Sequence, residues 1–233
     1  MAAEPSVKGA WITRLVEDVK KLLARNEPDR AKLEAQLSSE TLALLEGEVE
    51  IGRWYPVAQY TELTELLWRE EGDRSIVYLH QRGEDAMRRL MEAGLYQQLD
   101  YLKRHAPGNR DNLPQEDLPR TTQRLREDIL RVVRLVGTVS GSMRNIGRDS
   151  IEWDPDHPDR LLWHHREAAD MPEVARLVGE GLVTFLLRYV WLDAPQVTSH
   201  RVTPDHIVYI ADYRGFFEEL DGATGPISAG DSS

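Results

Sequence analysis

The chain has no cysteine, no long apolar run and no surplus of positive charge, and each absence removes a class of function. Without cysteine among its 233 residues it can form no disulfide, thiolate nucleophile, iron–sulfur cluster or cysteine-ligated zinc, which fits a reducing compartment. The longest apolar stretches, such as Gly181–Leu187, fall far short of the roughly 20 residues that a membrane-spanning helix needs. The first residues also lack the apolar core of a signal peptide. Lys and Arg total 29 against 40 Asp and Glu, a formal charge of −11, so the long-range field opposes nucleic acid and anionic membranes as partners. Internal repeats and long low-complexity tracts are missing too. A cytoplasmic protein is expected, large enough to bury roughly 70% of its unfolded surface.

What is present is clearest between residues 172 and 213. From Met171-Pro172 through Trp191-Leu192 runs a nearly all-apolar helix in which Val174, Leu177, Val178, Leu182, Phe185, Leu186 and Tyr189 share one face. The remainder is apolar as well, at Val183, Leu187 and Val190, so this helix should be buried on most sides. Two alternating strands follow, Gln196–Thr203 and His206–Tyr213. Upstream, Trp11, Leu15, Val19 and Leu22 mark an amphipathic first helix. Further helices are expected after Ser38-Ser39, from Val57, over Ser75–Ala93 and Leu95–His105, and from Pro119 to a stop at Gly137. Residues 106–118 read as a linker and Thr138–Asn145 as strand-like, and Ser150–Trp153 with Arg160–His165 can form a hairpin around Asp154–Asp159.

Helices first and a small antiparallel sheet last is an α+β pattern. The expectation is one domain over 7–220, a helical lobe (7–136) followed by a sheet-containing lobe (137–220) packed on the buried C-terminal helix. Residues 1–6 and 221–233 are expected to be flexible tails.

Chemistry is harder to find. The serines of Thr138–Ser142 lack a nucleophile elbow, and Gly179-Glu180-Gly181 lies inside an apolar helix where no dinucleotide loop can form. Those glycines suit close approach of a neighbouring backbone or of a ligand. Trp11, Tyr55 and Tyr60, with Gly179, Gly181 and Phe185 of the later helix, are candidates to wall a pocket for a small apolar ligand; filling the core is the competing use of the same rings. Trp163, Tyr189, Trp191, Tyr209 and Tyr213 could instead mark a protein interface. The basic strip Arg82, Arg88 and Arg89 with Lys103 and Arg104 reads as a salt-bridged helix face in preference to a phosphate site. An enzymatic alternative rests on His157, His164, His165 and Asp170, whose imidazole and carboxylate groups suit a divalent metal. Its weakness is that His164 and His165 are adjacent and would point to opposite faces of a strand.

The layout resembles the ligand-binding superfamily that unites heme nitric-oxide/oxygen-binding domains, the four-vinyl-reductase domain and TRAPP-type trafficking subunits. Within it, Trp54-Tyr55-Pro56 followed by Tyr60 and Leu66-Leu67, and Leu177 to Leu182 followed by paired strands, are similar to an uncharacterised myxobacterial paralogous family. The resemblance implies a sensor or binding domain and, in its heme-binding members, a histidine on a mid-chain helix and a Tyr-x-Ser-x-Arg contact to the propionates. Neither pattern stands here. Pro119–Val136 contains no histidine, and Tyr189–Asp193 and Tyr209–Tyr213 both break the second motif. His80 and His105 are left as histidines that could meet a heme iron. The reading is a non-enzymatic sensor or protein-interaction domain without heme, able to homodimerise, with a metal enzyme and a structural adaptor as rivals.

Overall fold

The computed structural model describes residues 4–92, 94, 118–190 and 196–222. The expected helix over 95–105, residues 106–117 of the linker expected over 106–118, Trp191 and residues 223–233 lie outside them, and the last linker residue, Leu118, is already helical. The fold is α+β. Its helices are α1 (Gly9–Arg25), α2 (Arg30–Glu34), α3 (Ser39–Glu46), α4 (Val57–Glu70), α5 (Ile76–Glu92), α6 (Leu118–Gly141), α7 (Glu173–Val190) and α8 (Arg214–Gly222). Strands β1 (Ser6–Lys8) and β2 (Trp54–Pro56) form a short antiparallel ribbon. The main sheet is antiparallel in the order β3 (Arg148–Trp153), β4 (Arg160–Arg166), β6 (His206–Asp212), β5 (Val197–Thr203).

Helix α7 is the packing axis. Val174, Ala175, Val178, Leu182, Val183, Leu186 and Leu187 are all buried along it, as its apolar circumference demands. One side meets α5 so closely that side chains are excluded at two crossings. A Cβ on Gly181 would lie 1.9 Å from the carbonyl oxygen of His80, and one on Gly83 2.0 Å from that of Val178. Only glycine permits this backbone contact. The other side carries the sheet, whose inward residues include Leu161, Trp163 and His165 of β4 and Ile207, Tyr209 and Ala211 of β6. Successive strand residues alternate faces, so His164 and Val208 fall on the opposite face.

Several local rules are met in unexpected ways. Ser38 caps α3 by accepting from the Thr41 amide at 3.2 Å. The carboxylate that completes a capping box comes from Glu62 of α4, which accepts from the Ser38 amide at 2.9 Å. Burial raises the Glu62 pKa, but the hydrogen bonds from Ser38 and Thr41 outweigh it and hold it below the ordinary range. Helix α6 runs through Gly137 to Gly141, correcting both the expected stop and the strand-like reading of 138–145. Gly137 is tolerated because its bare face abuts Ile151 and Trp163, where a Cβ would stand 3.1 Å from Ile151 Cδ1. A lobe boundary at 136/137 would therefore cut a helix.

The expected tails are also shortened. Ser6 is in β1, and residues 221 and 222 belong to α8, a helix the apolar pattern did not announce. Strand β1 joins the two halves of the chain: beyond its pairing with β2, Lys8 N donates to Met143 O at 2.8 Å and Asn145 N to Ser6 O at 3.1 Å.

Candidate functional site

Four helices enclose one cavity of about 340 Å³, at the small end of the range typical of ligand pockets. Trp11, Arg14 and Leu15 of α1 form one wall, Tyr60 and Thr64 of α4 a second, Arg82, Ala86, Arg89 and Leu90 of α5 a third, and Val178 and Leu182 of α7 the fourth. The amphipathic spacing of α1 and α4 turns the two rings toward each other, with centroids 6.4 Å apart and planes tilted by 50°. Ile51 contributes from the loop before β2 while remaining 67% exposed, which places it at the solvent edge.

Polar groups on this cavity divide into engaged and free. Arg14 Nη1 donates to Glu17 Oε2 at 2.8 Å, and its Nε lies 3.1 Å from Asp18 Oδ1. Arg82 Nη1 holds the other oxygen of Asp18 at 2.5 Å. The Thr13 and Thr64 hydroxyls donate to the Gly9 and Tyr60 carbonyls. Arg89 forms no hydrogen bond or ion pair among the described residues; burial, with the neighbouring charges of Arg82 and Arg14, pushes its pKa down. The indole N–H of Trp11 is buried with no acceptor. Burial also pushes the Tyr60 phenol up to about 12, so it stays a neutral hydroxyl.

Of the pocket residues expected from sequence, the structure places Trp11 and Tyr60 on this wall. Tyr55 lies elsewhere: its hydroxyl accepts from the Glu50 amide at 2.9 Å and pins the loop that carries Ile51. Gly181 serves the α5 contact, and Gly179 lies under the Tyr209 ring, where a Cβ would be 2.6 Å from the hydroxyl oxygen. Phe185 stacks on Tyr189 and under the Arg88 guanidinium instead of facing the cavity. Sequence reasoning read Arg82 and Arg89 as a salt-bridged helix face, which Arg82 is through Asp18, but did not place either on the cavity wall. Their signal was the seven-residue spacing that puts them on one helix face with Ala86 and Leu90.

The metal candidates are not brought together. His157 and Asp170 are exposed in separate turns. His165 is fully buried and its Nδ1 meets Asp149 Oδ1 at 2.8 Å. His164, on the other face, has Nδ1 3.1 Å from His206 Nε2 and Nε2 3.2 Å from Glu152 Oε1. Among the described residues no three His, Asp or Glu side chains are placed to hold a metal ion. Of the proposed interface aromatics, Trp163, Tyr209 and Tyr213 are buried in the core.

A second polar centre ties α5, α7 and β5 together. Buried Glu180 accepts from Arg176 Nη1 at 2.9 Å, Ser199 N at 2.8 Å and Ser199 Oγ at 2.6 Å, and its other oxygen lies 2.6 Å from His80 Nε2. With no uncommitted acceptor left, this centre is a structural joint.

No protein-family model matches the chain, and no curated protein matches it. Among solved structures, a point mutant of the Fe(II) unliganded H-NOX protein from K. algicida is similar, with a TM-score of 0.51 and 13% identity over 88% of this chain and 95% of that one. At that identity the likeness is one of fold. The heme that the sequence resemblance implies does not fit the residues here. Among the described residues the cavity has no histidine on its walls, the Tyr60 phenol there resists ionisation, and His80 lies against Glu180 in the α5–α7 contact; His105 lies outside the described residues. No helix among the described residues is long and apolar enough to cross a membrane.

Proposed function

We propose that this chain is a non-enzymatic, cytoplasmic sensor domain that binds a small ligand in the cavity between α1, α4, α5 and α7. The observation that carries this reading is the cavity itself, walled by Trp11 and Tyr60 and reaching the buried helix that also supports the sheet. Val178 and Leu182 face the cavity, while Glu180 between them grips β5 through Ser199. A ligand that prefers one packing of α7 would thereby bias the position of β5, and it would shift that equilibrium only by its differential affinity for the two packings. The fold shared with an H-NOX protein supports the sensor class. Sharing of the role with the myxobacterial paralogous family, and signalling through a homodimer, belong to the same proposal.

Native mass spectrometry of freshly isolated protein tests it, because bound small molecules and subunit number are read together. A mass increment displaced by filling the cavity, as in Ala86→Phe, is the expected result. An unliganded mass, with melting unaffected by a library of small amphiphiles, would refute it.

A further inference from the structure

We propose that the ligand is a small amphipathic monocarboxylate whose anionic head pairs with Arg89 and whose apolar body lies between Trp11, Tyr60, Leu90 and Leu182. This rests on the ligand-binding reading above and adds the chemical class. The carboxylates near the cavity are occupied, Glu17 by Arg14, Asp18 by Arg14 and Arg82, and Asp85 by Arg88. The two threonine hydroxyls spend their protons on backbone carbonyls. Of the three guanidinium groups on the cavity, only that of Arg89 has no carboxylate partner among the described residues, and the buried Trp11 N–H has no acceptor there either. Partial burial and the like charges of Arg82 and Arg14 disfavour the bare Arg89 cation, and a planar carboxylate matches its fork with two parallel hydrogen bonds.

Other chemistries fit less well. A cation would face three guanidinium groups. A neutral ligand leaves Arg89 unpaired. A dianion brings a second charge, yet only one guanidinium is uncommitted. The remaining wall is hydrocarbon and aromatic, so the body of the ligand is apolar. A cavity of 340 Å³ equals about eleven liquid-water volumes at about 30 Å³ each, which suits a molecule of the size of decanoate.

Titration calorimetry of the full chain with decanoate and with decan-1-ol, its uncharged counterpart, tests the assignment. Decanoate should bind at least about tenfold more tightly than the alcohol, and Arg89→Leu should remove roughly 10- to 100-fold of decanoate affinity without weakening the alcohol. Arg131→Leu, which removes an exposed guanidinium paired with Asp128 on α6 and lining no part of the cavity, should change neither. Ala86→Phe should abolish both. Equal binding of acid and alcohol, or decanoate affinity indifferent to Arg89→Leu, would overturn the carboxylate assignment and leave the cavity reading standing. If neither compound binds the unaltered protein, or if Ala86→Phe leaves both affinities intact, the cavity reading falls with it.

Discussion

The tightest glycine contact among the described residues predicts an inversion of the usual helix rule. Replacing glycine by alanine inside a helix normally stabilises it by about 1 kcal/mol. At Gly181 the added Cβ would sit 1.9 Å from His80 O and 2.6 Å from His80 C, whereas ordinary van der Waals contact begins near 3.5 Å. Both obstacles are backbone atoms in α5, so no side-chain rotation relieves them and the two helices must separate. Overpacking costs about 1–3 kcal/mol, and the absence of a flexible neighbour puts this site at the upper end. After subtracting the propensity gain, Gly181→Ala should lose about 2 kcal/mol, a fall in Tm of roughly 4–8 °C for a chain of this length. Thermal unfolding followed by circular dichroism, at matched concentration, measures it. Gly215→Ala is the internal control: it has no atom within 4 Å of the new Cβ, and its Tm should stay level or rise. A Gly181→Ala protein melting at or above the unaltered one would refute the claim that α5 and α7 are held at backbone contact.

Acid should weaken the fold through Asp149 and His165. Burial raises the Asp149 pKa, but the His165 hydrogen bond and the Arg144 guanidinium outweigh it and bring it down to about 2. His165 is lowered chiefly by burial, and its unpartnered Nε2 would become an unsatisfied donor if protonated. Both folded-state values lie below their unfolded ones, so both contributions are present at neutral pH; that of His165 is lost as pH falls below about 6.5 and that of Asp149, about 2 kcal/mol, between about pH 4 and 2. Urea melts across pH 7 to 3 should show this decline, reduced in Asp149→Asn; a flat profile would contradict it. Glu180→Ala should cost about 3 kcal/mol in the same assay, because Ser199 and His80 lose a buried anionic partner, and a loss under 1 kcal/mol would mean that Glu180 is dispensable to the joint. Leu186→Ala, at a fully buried position of α7, should cost about 2–5 kcal/mol, while Val202→Ala on the exposed edge strand β5 should fall within about 0.5 kcal/mol.

The central elements were legible because their patterns are periodic and long. Helix α7 could be read from apolar residues on every side, and β5 and β6 from alternation bounded by Asp and Pro. The rings of Trp11 and Tyr60 follow from helical faces that each sequence segment displays by itself. The ribbon β1–β2 was hidden because three residues are too few to show a period of two. Helix α6 was cut short because Gly137, Thr138 and Val139 carry poor helix propensity, which packing against Ile151 and Trp163 overrides. Gly179, Gly181, Tyr55 and Phe185 were chemically plausible pocket residues, but which surface each faces depends on the crossing of α5 with α7. The status of Arg89 is equally non-local: Asp18, 64 residues from Arg82, takes that guanidinium and the one on Arg14, and Arg89 is left over only by subtraction.

The seam at residues 6–8 has a consequence for how the protein is made. Its partner across one edge, β2, is synthesised early, but Met143 and Asn145, which close the other edge, follow only after nearly ninety more residues. At translation rates of about 5–20 residues per second, that edge waits roughly 5–20 s. During that interval the nascent helical half exposes unpaired amide and carbonyl groups able to capture a foreign strand. Completion of the seam is thus the step that turns a vulnerable half-built chain into a closed one, and slow codons before position 145 would lengthen the exposure.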